Sequence, residues 1–390
     1  MKILFLNHNF EGFGTYYRCL NLAKYLARMD CQVSIICASR YNFDLGIKIK
    51  KINDNLKIIT LPRIRAHKYH TGHILRGLIA AYLSIISDFD IFHSFAVAQP
   101  ATAIPTLLYK SIRRKPVVVD WDDDWTMGLA KFHPLPVRLA VGFLERSIPK
   151  AADKMTVVSD YLMDKAQNFY PRQEDIVKIS NGAEVEAIKP MDRQEARRHL
   201  GIDPQIPILV AVGHSYIENR NMLFEVFSKV QSKKPDARLY IVGNSGISPE
   251  DINDYQKNFG DSIVFSGEQP YPKIPYYLNM ADVLVLPMGD TELERSRWPI
   301  RFGDYMASGR AIVSNAVGEV KKVLEEDKCG LCSHPSDLDS FARNILKVLN
   351  DDSLKRELGV RARQAAENKY SWEGLAQKLK QLYLQLLTDR

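Results

Sequence analysis

Short apolar, β-branched runs alternate with helical patterns along most of this chain, and no other feature narrows its fold as far. Residues 2–6, 32–37, 56–61, 91–94, 116–119 and 154–158 read as strands, and residues 16–27, 74–86 and 136–148 between them read as helices. Alternation of this kind gives a parallel sheet covered on both faces by helices. Pro190, Pro204 and Pro207 then punctuate a polar stretch near residues 185–205 that reads as a junction. A second series follows it, with strands at 208–212, 239–242, 263–265, 283–286 and 312–314, and helices reaching about Val230 and lying near residues 274–280. A length of 390 residues suits two domains at roughly 150 residues each. The prediction is an α/β protein of two Rossmann-like, doubly wound parallel-sheet domains facing a cleft. The boundaries are expected at 1–190 and 191–370, followed by a C-terminal helix at 371–390. Leu375, Leu379, Leu382 and Leu386 in that tail share one helical face and must pack on something.

Apolar residues make up 46% and charged residues 25%, an ordinary globular balance. The five cysteines are odd in number and scattered, so the chain reads as a protein of a reducing cytosol without a disulfide framework. The longest apolar run, 78–86, is shorter than the roughly 18 residues a membrane span needs, and the N-terminus turns polar too early for a secretory signal. Charge is unevenly divided. Residues 1–150 hold 21 Lys/Arg against 11 Asp/Glu, whereas the remainder holds 32 against 35. A basic first half predicts an anionic partner met by that half alone. With no nucleic-acid motif present, an anionic membrane surface or a phosphorylated substrate fits better than nucleic acid.

Ligands of open parallel sheets bind beyond the carboxyl ends of the strands, so the strand-to-helix turns carry the candidate chemistry. The first strand runs into a turn holding Gly12 and Gly14, where backbone amides can approach an anion. Tyr17 stands where a dinucleotide fingerprint wants its third glycine, and no acid ends the second strand, so NAD is not expected. The strand at 116–119 ends in Asp120-Trp121-Asp122-Asp123-Asp124-Trp125. Its carboxylates, Asp122 and Asp123 above all, could bind Mg²⁺, orient sugar hydroxyls or act as acid/base groups, against the plainer reading of a solvated acidic turn. In the second series Gly213-His214, with Arg220 six residues on, makes a glycine turn with two cations suited to a diphosphate. Trp298 to Val313 reads as a short helix feeding a strand, with Arg301 and Asp304 on one face. There a carboxylate can accept two vicinal hydroxyls of a ribose while arginine takes phosphate; the plainer reading is an exposed ion pair. Cys329 and Cys332 have no second ligand pair, so a buried strand is expected there and not zinc.

In order, the Gly12/Gly14 loop, the acidic turn, Val157-Val158-Ser159, Asn181-Gly182-Ala183-Glu184, Val212-Gly213-His214, Arg220, Phe302-Gly303-Asp304-Tyr305 and the closing Tyr370-Ser371-Trp372-Glu373 resemble the group 1 glycosyltransferases over nearly the whole chain. This is the glycogen-synthase-like, retaining family of the GT-B fold, whose last helix crosses back to the first domain. The resemblance implies that Gly12 and Gly14 face the donor phosphate, that His214 (an arginine in most of the family) and Arg220 meet the diphosphate, and that Asp304 holds the ribose. Ser296 falls where the family's first glutamate would touch the donor sugar, and Glu292, Glu294 or Arg297 could compensate. Asp122 falls where the family often has a histidine against the sugar. The catalytic candidates are therefore Asp122, Asp123, His214 and Arg220. The donor-binding candidates are Gly12, Gly14, Gly213, Ser296, Arg297, Arg301 and Asp304.

By this resemblance the chain is expected to be a glycosyltransferase, which the cysteine usage places in the cytoplasm and the basic first half places peripherally on the inner face of a membrane. It would move a sugar from a nucleoside diphosphate sugar to a glycan or lipid-linked acceptor with retention of configuration. No tightly bound cofactor is implied, and Mg²⁺ is compatible with the chemistry without being required. Two rivals stand beside it: an epimerase-like enzyme of the same fold, and a non-catalytic sugar- or membrane-binding module, to which Ser296 and His214 point.

Overall fold

A computed structural model describes residues 1–63, 71–130, 133–203, 205–213, 217–243 and 246–389. The chain forms two compact units. The first comprises Met1–Asn181, Arg295–Trp298 and Trp372–Arg390, and the second Gly182–Glu294 and Pro299–Ser371. The division falls at 181/182 and not at 190/191, and the short stretch carrying Ser296 and Arg297 belongs with the first unit.

The first unit runs β1 (Lys2–Phe10), α1 (Thr15–Arg28), β2 (Gln32–Ala38), β3 (Lys48–Asn53), β4 (Leu56–Leu61), α2 (Thr71–Ile86), β5 (Ile91–Phe95), α3 (Pro100–Arg113), β6 (Val117–Trp121), α4 (Leu135–Ala151), β7 (Lys154–Val157), α5 (Asp160–Gln167) and β8 (Ile176–Lys178). Its sheet has the order β3-β4-β2-β1-β5-β6-β7-β8. All neighbours are parallel except β3 and β4. The exception has a visible cause. Every residue of β3 is exposed, and Lys48, Lys50 and Lys51 guard the sheet edge against further pairing. A strand wet on both faces shows no alternation, so periodicity does not reveal it.

The C-terminal helix, Trp372–Thr388, belongs to this unit. Its Trp372, Leu379 and Tyr383 are buried in one core with Phe5, Leu22 and Ile35, which satisfies the leucine spacing of the tail. A polar pin adds to the apolar contact: Tyr383 Oη lies 2.5 Å from His93 Nδ1. Burial pushes the His93 imidazole down to about 3, so it is neutral in the core.

In the second unit the chain forms α6 (Arg193–His199), β9 (Ile208–Val212), α7 (Ile217–Gln231), β10 (Arg238–Val242), α8 (Pro249–Phe259), β11 (Ile263–Gly267), α9 (Ile274–Asn279), β12 (Val283–Leu286), α10 (Glu292–Ser296, whose last two residues belong with the first unit), α11 (Ile300–Ala307), β13 (Ile312–Asn315), α12 (Gly318–Glu326), β14 (Gly330–Ser333), α13 (Leu338–Asn350) and α14 (Asp352–Asn368). Its sheet is wholly parallel, ordered β11-β10-β9-β12-β13-β14. β14 is the strand expected around the cysteine pair, and both thiols are free.

Both sheets reverse their strand order about their first strand. In the first unit β2 and β5 flank β1, and in the second β10 and β12 flank β9. The carboxyl ends of β1 and β9 are therefore the switch points at which a doubly wound sheet opens a ligand crevice.

Candidate functional site

At the first switch point β1 carries His8 near its carboxyl end, and the turn after the strand holds Gly12 (φ 85°) and Gly14 (φ 54°), both in the left-handed region that favours glycine. Gly14 caps α1, and Thr15 follows as its first residue. The Thr15 hydroxyl donates to Asp122 Oδ2, which fixes the acidic turn beside the glycine turn. His8 Nδ1 lies 3.1 Å from the carbonyl oxygen of Phe95, at the end of β5. A carbonyl only accepts, so Nδ1 carries the proton. The His8 ring also meets Trp125 edge to face at 5.2 Å. Burial lowers the His8 imidazole and raises the Asp122 carboxyl, while the charge of each partner opposes those shifts. Asp122 Oδ1 is buried and has no partner among the described residues.

The acidic turn is not solvated. Asp120 lies within β6, fully buried, in a two-pronged ion pair with Arg18 (2.8 and 2.9 Å). Asp124 is also fully buried; it accepts from Met127 N at 2.9 Å and pairs with Lys165 Nζ at 2.8 Å. Asp123 gives its backbone carbonyl to Trp121 Nε1 at 2.8 Å. Asp120 and Asp124 are thus committed to separate cations, and Asp122 Oδ2 to the Thr15 hydroxyl. Among the described residues no group of three His, Cys, Asp or Glu could hold a metal ion.

At the second switch point β9 ends at Val212 and Gly213, whose φ of 81° again suits glycine. Arg301, near the start of α11, donates from Nη1 to the Val212 carbonyl at 3.3 Å, and the same nitrogen is 3.6 Å from where a Cβ on Gly213 would lie. Arg220, in the first turn of α7, is buried and donates to the Gly246 carbonyl at 3.3 Å, while its Nε has no partner among the described residues. The turns after β9 and β10 approach closely, with Gly213 N 3.5 Å from a Cβ position on Gly243. Tyr305 closes the floor: its hydroxyl accepts from Val212 N at 2.7 Å. One turn along α11, burial first and then the charge of Glu184 push the Asp304 carboxyl up to about 8. Two arginines and a glycine turn therefore gather at the carboxyl end of β9, with Asp304 one turn beyond Arg301 on α11.

Other predicted residues lie apart from this group. Ser296 is fully buried within the first unit, where its Oγ accepts from Asp124 N at 3.0 Å and its carbonyl accepts from Ser159 Oγ. It therefore serves the acidic turn. Arg297 is half-buried in the same unit. Glu294 is committed to Asn219 Nδ2 at 2.7 Å, beside Arg220. His214 lies outside the described residues. Sequence reasoning assigned no role to His8 or Thr15. Their places near the end of β1 and at the start of α1 were a usable signal; the Thr15 hydrogen bond to Asp122, over a hundred residues away, was not.

Comparison with known proteins agrees with this organisation. The family model "Glycosyltransferase Family 4" matches residues 14–187, and "Glycosyl transferases group 1" matches residues 206–351. Together they take in most of both units. The chain belongs to the group 1 glycosyltransferases. Among solved structures, sucrose-phosphate synthase from Thermosynechococcus elongatus superposes with a TM-score of 0.78 at 18% identity, over 100% of both chains. Anabaena Alr3699/HepE in complex with UDP-glucose gives 0.70 at 15% identity, over 99% of this chain and 100% of that one. Identities this low establish the fold, which is GT-B. A curated relative, the GDP-mannose-dependent monoacylated alpha-(1-6)-phosphatidylinositol monomannoside mannosyltransferase of Corynebacterium glutamicum, is 22% identical over 60% of this chain and 62% of its own. The chain spans about three-fifths of the length of the curated relatives it matches.

Proposed function

We propose that this group 1 glycosyltransferase moves a sugar from a nucleoside diphosphate sugar to a glycan or lipid-linked acceptor, with retention of configuration. The observation that carries the reading is the gathering of Arg220, Arg301 and Gly213 at the end of β9, with Asp304 one turn along α11. In this reading the second unit is the donor side. The two guanidiniums and the free amides of the glycine turn bind the diphosphate and stabilise it as it leaves, which is where negative charge accumulates. Ionised Asp304 accepts the two ribose hydroxyls. The first unit is the acceptor side, where the unpartnered Asp122 Oδ1 takes a sugar or acceptor hydroxyl and His8 stays neutral beside it. No step needs a covalent carboxylate nucleophile, since departure of the diphosphate and attack by the acceptor can occur on one face of the sugar. Relatives that bind UDP-glucose or depend on GDP-mannose support the donor class, and a monoacylated lipid acceptor in one of them supports the lipid-linked alternative.

The protein works in the cytoplasm at the inner face of a membrane, a reading supported by the excess positive charge of residues 1–150. Among the described residues no helix is long and apolar enough to cross one. Titration calorimetry with UDP, GDP and ADP, and with their sugars, tests the donor reading. One nucleoside diphosphate is expected to bind with micromolar affinity and to lose it in Arg220→Ala. A folded protein that binds none overturns the transferase reading, and turnover of a donor sugar without any acceptor replaces it with an epimerase.

A further inference from the structure

Helix α2 is largely apolar, with Arg76 as its one charged residue, a pattern that a water-soluble unit ordinarily buries. One face is buried: Gly77, Ala80, Ala81 and Ser84 are inaccessible, and a Cβ on Gly77 would meet the Pro100 carbonyl and Ile104 of α3. The opposite face is not. Ile74, Leu78, Tyr82 and Ile86 recur every four residues, all exposed, with Leu75 beside them. Helix α4 repeats the device. Its Leu135, Leu139 and Phe143 form an exposed row, with Leu139 65% and Phe143 68% accessible. The same row continues into Arg146 and Lys150, both exposed. Helix α3 packs against both α2 and α4 and adds exposed Leu107, Leu108 and Ile112. These three helices carry Arg76, Lys110, Arg113, Arg138, Arg146 and Lys150, against Glu145 as their single acidic residue. Glu145 is buried and accepts from Trp125 N at 3.1 Å, so it presents no negative charge outward.

We propose that the exposed faces of α2 and α4 dock the first unit on an anionic lipid bilayer by shallow insertion. The proposal deepens the membrane-peripheral part of the reading above and rests on it. An apolar row running into cations along one helix matches a bilayer, whose acyl boundary lies beneath a layer of phosphates. Leu135, Leu139 and Phe143, with Ile74, Leu78 and Tyr82, enter that boundary; Arg138, Arg146 and Lys150 meet the phosphates. The absence of outward-facing acid on all three helices supplies the charge complementarity. Binding of this kind differs from adhesion by charge alone: it has an apolar part that salt does not screen.

Co-sedimentation of the full chain with vesicles of phosphatidylcholine, alone or mixed with phosphatidylglycerol, tests the proposal. The wild type is expected to pellet with the mixed vesicles and to retain part of that binding in high salt. Leu139→Glu/Phe143→Glu is expected to bind at least about tenfold more weakly at every salt concentration, since each buried side chain contributes on the order of a tenfold factor. Arg146→Glu/Lys150→Glu is expected to lose the preference for phosphatidylglycerol. Wild type that stays in the supernatant overturns the proposal, as does an apolar variant that binds like wild type. So does light scattering that shows a wild-type dimer abolished by Leu139→Glu/Phe143→Glu, which assigns the face to a second copy of the chain. Thermal shifts with UDP, GDP and ADP on the same samples separate the two claims. Vesicle binding without any nucleotide response leaves the docking face standing and overturns the transferase reading.

Discussion

Arg18 and Asp120 form a two-pronged ion pair in the middle of the first unit, both fully buried, and the arginine spends its remaining donors on the carbonyls of Ile179 and Ser180 and on Asn181 Oδ1. The pair ties α1 and β6 to the segment that closes the unit. Thr156 adds a hydroxyl to the same carboxylate at 2.5 Å. With every donor of the fork used, the knot holds α1 at a fixed height against the sheet, and so holds the glycine turn before it. Breaking one partner leaves the other as an uncompensated buried charge. Asp120→Asn or Arg18→Leu is expected to destabilise the protein by about 3–5 kcal/mol, read from urea unfolding. A loss below about 1 kcal/mol would show that the pair is not what positions α1.

Burial and His8 act most strongly on Asp122, and Thr15 helps keep it ionised. Its hydroxyl donates to the carboxylate and favours the ionised form against the burial that raises the group. Thr15→Val removes that donor with little change of volume. The acidic limb of the transfer rate is then expected to move to higher pH by roughly one unit, the worth of a hydrogen bond to a charged group. Donor affinity, measured by calorimetry, should stay as in the wild type, because the first unit supplies the acceptor side. An unmoved limb would remove Asp122 from the reacting groups.

The two doubly wound domains were legible because buried parallel strands read as apolar runs, and the terminal helix because its leucines keep one face. Helix α3 escaped because Pro105 interrupts its pattern, though Pro100 suits its first turn. Arg18 reads as an exposed helix residue in any periodicity, yet it is among the most buried side chains. The acidic turn stood out by composition, but the separate duties of Asp120, Asp122 and Asp124 depend on Arg18, Thr15, Lys165 and Ser296, all distant in sequence. Local pattern carries secondary structure; it does not carry which cation meets which carboxylate across a sheet.

Arg220 is held for use. It is buried at the start of α7, fixed by one hydrogen bond to Gly246, with Nε still open among the described residues. Arg220→Ala is expected to weaken nucleoside diphosphate binding by about 1.5–3 kcal/mol, the range for a hydrogen bond to a charged group. The matching nucleoside without phosphates should bind both proteins alike. Equal loss for nucleoside and diphosphate would place Arg220 elsewhere than on phosphate.

Gly303 lets α11 approach the chain at residues 182–183. A Cβ there would overlap the Gly182 carbonyl oxygen and stand 3.0 Å from Ala183 Cα, so the helix must shift to admit it. Arg301 and Asp304 ride on that helix. Gly303→Ala is expected to cost about 1–3 kcal/mol by overpacking and to weaken nucleotide binding with it. A variant with wild-type stability and affinity would mean that the position of α11 does not set the site.

Asp304 gives the donor site a pH dependence whose sign can be worked out. Its folded carboxyl titrates at about 8, raised by burial and by Glu184, against about 3.9 in an unfolded chain. Between those values the native state holds a proton that the unfolded state has released. The stability this group contributes is therefore complete below about pH 4 and is lost as pH rises through about 8. Asp304→Asn removes the titration, so its melting temperature is expected to gain on the wild type as pH rises from 5 to 8 and to stay ahead above it. Binding runs the other way. Accepting two ribose hydroxyls needs the ionised carboxylate, so wild-type affinity for a nucleoside should rise from pH 6.5 to 8.5 by roughly 25-fold, the growth in the ionised fraction of a group titrating at about 8. The Asn variant should bind weakly and without that slope. Melting curves and calorimetry across this range check both signs. A wild type whose nucleoside affinity is flat while its stability falls as expected would leave Asp304 a half-buried acid of the second unit and take it off the ribose.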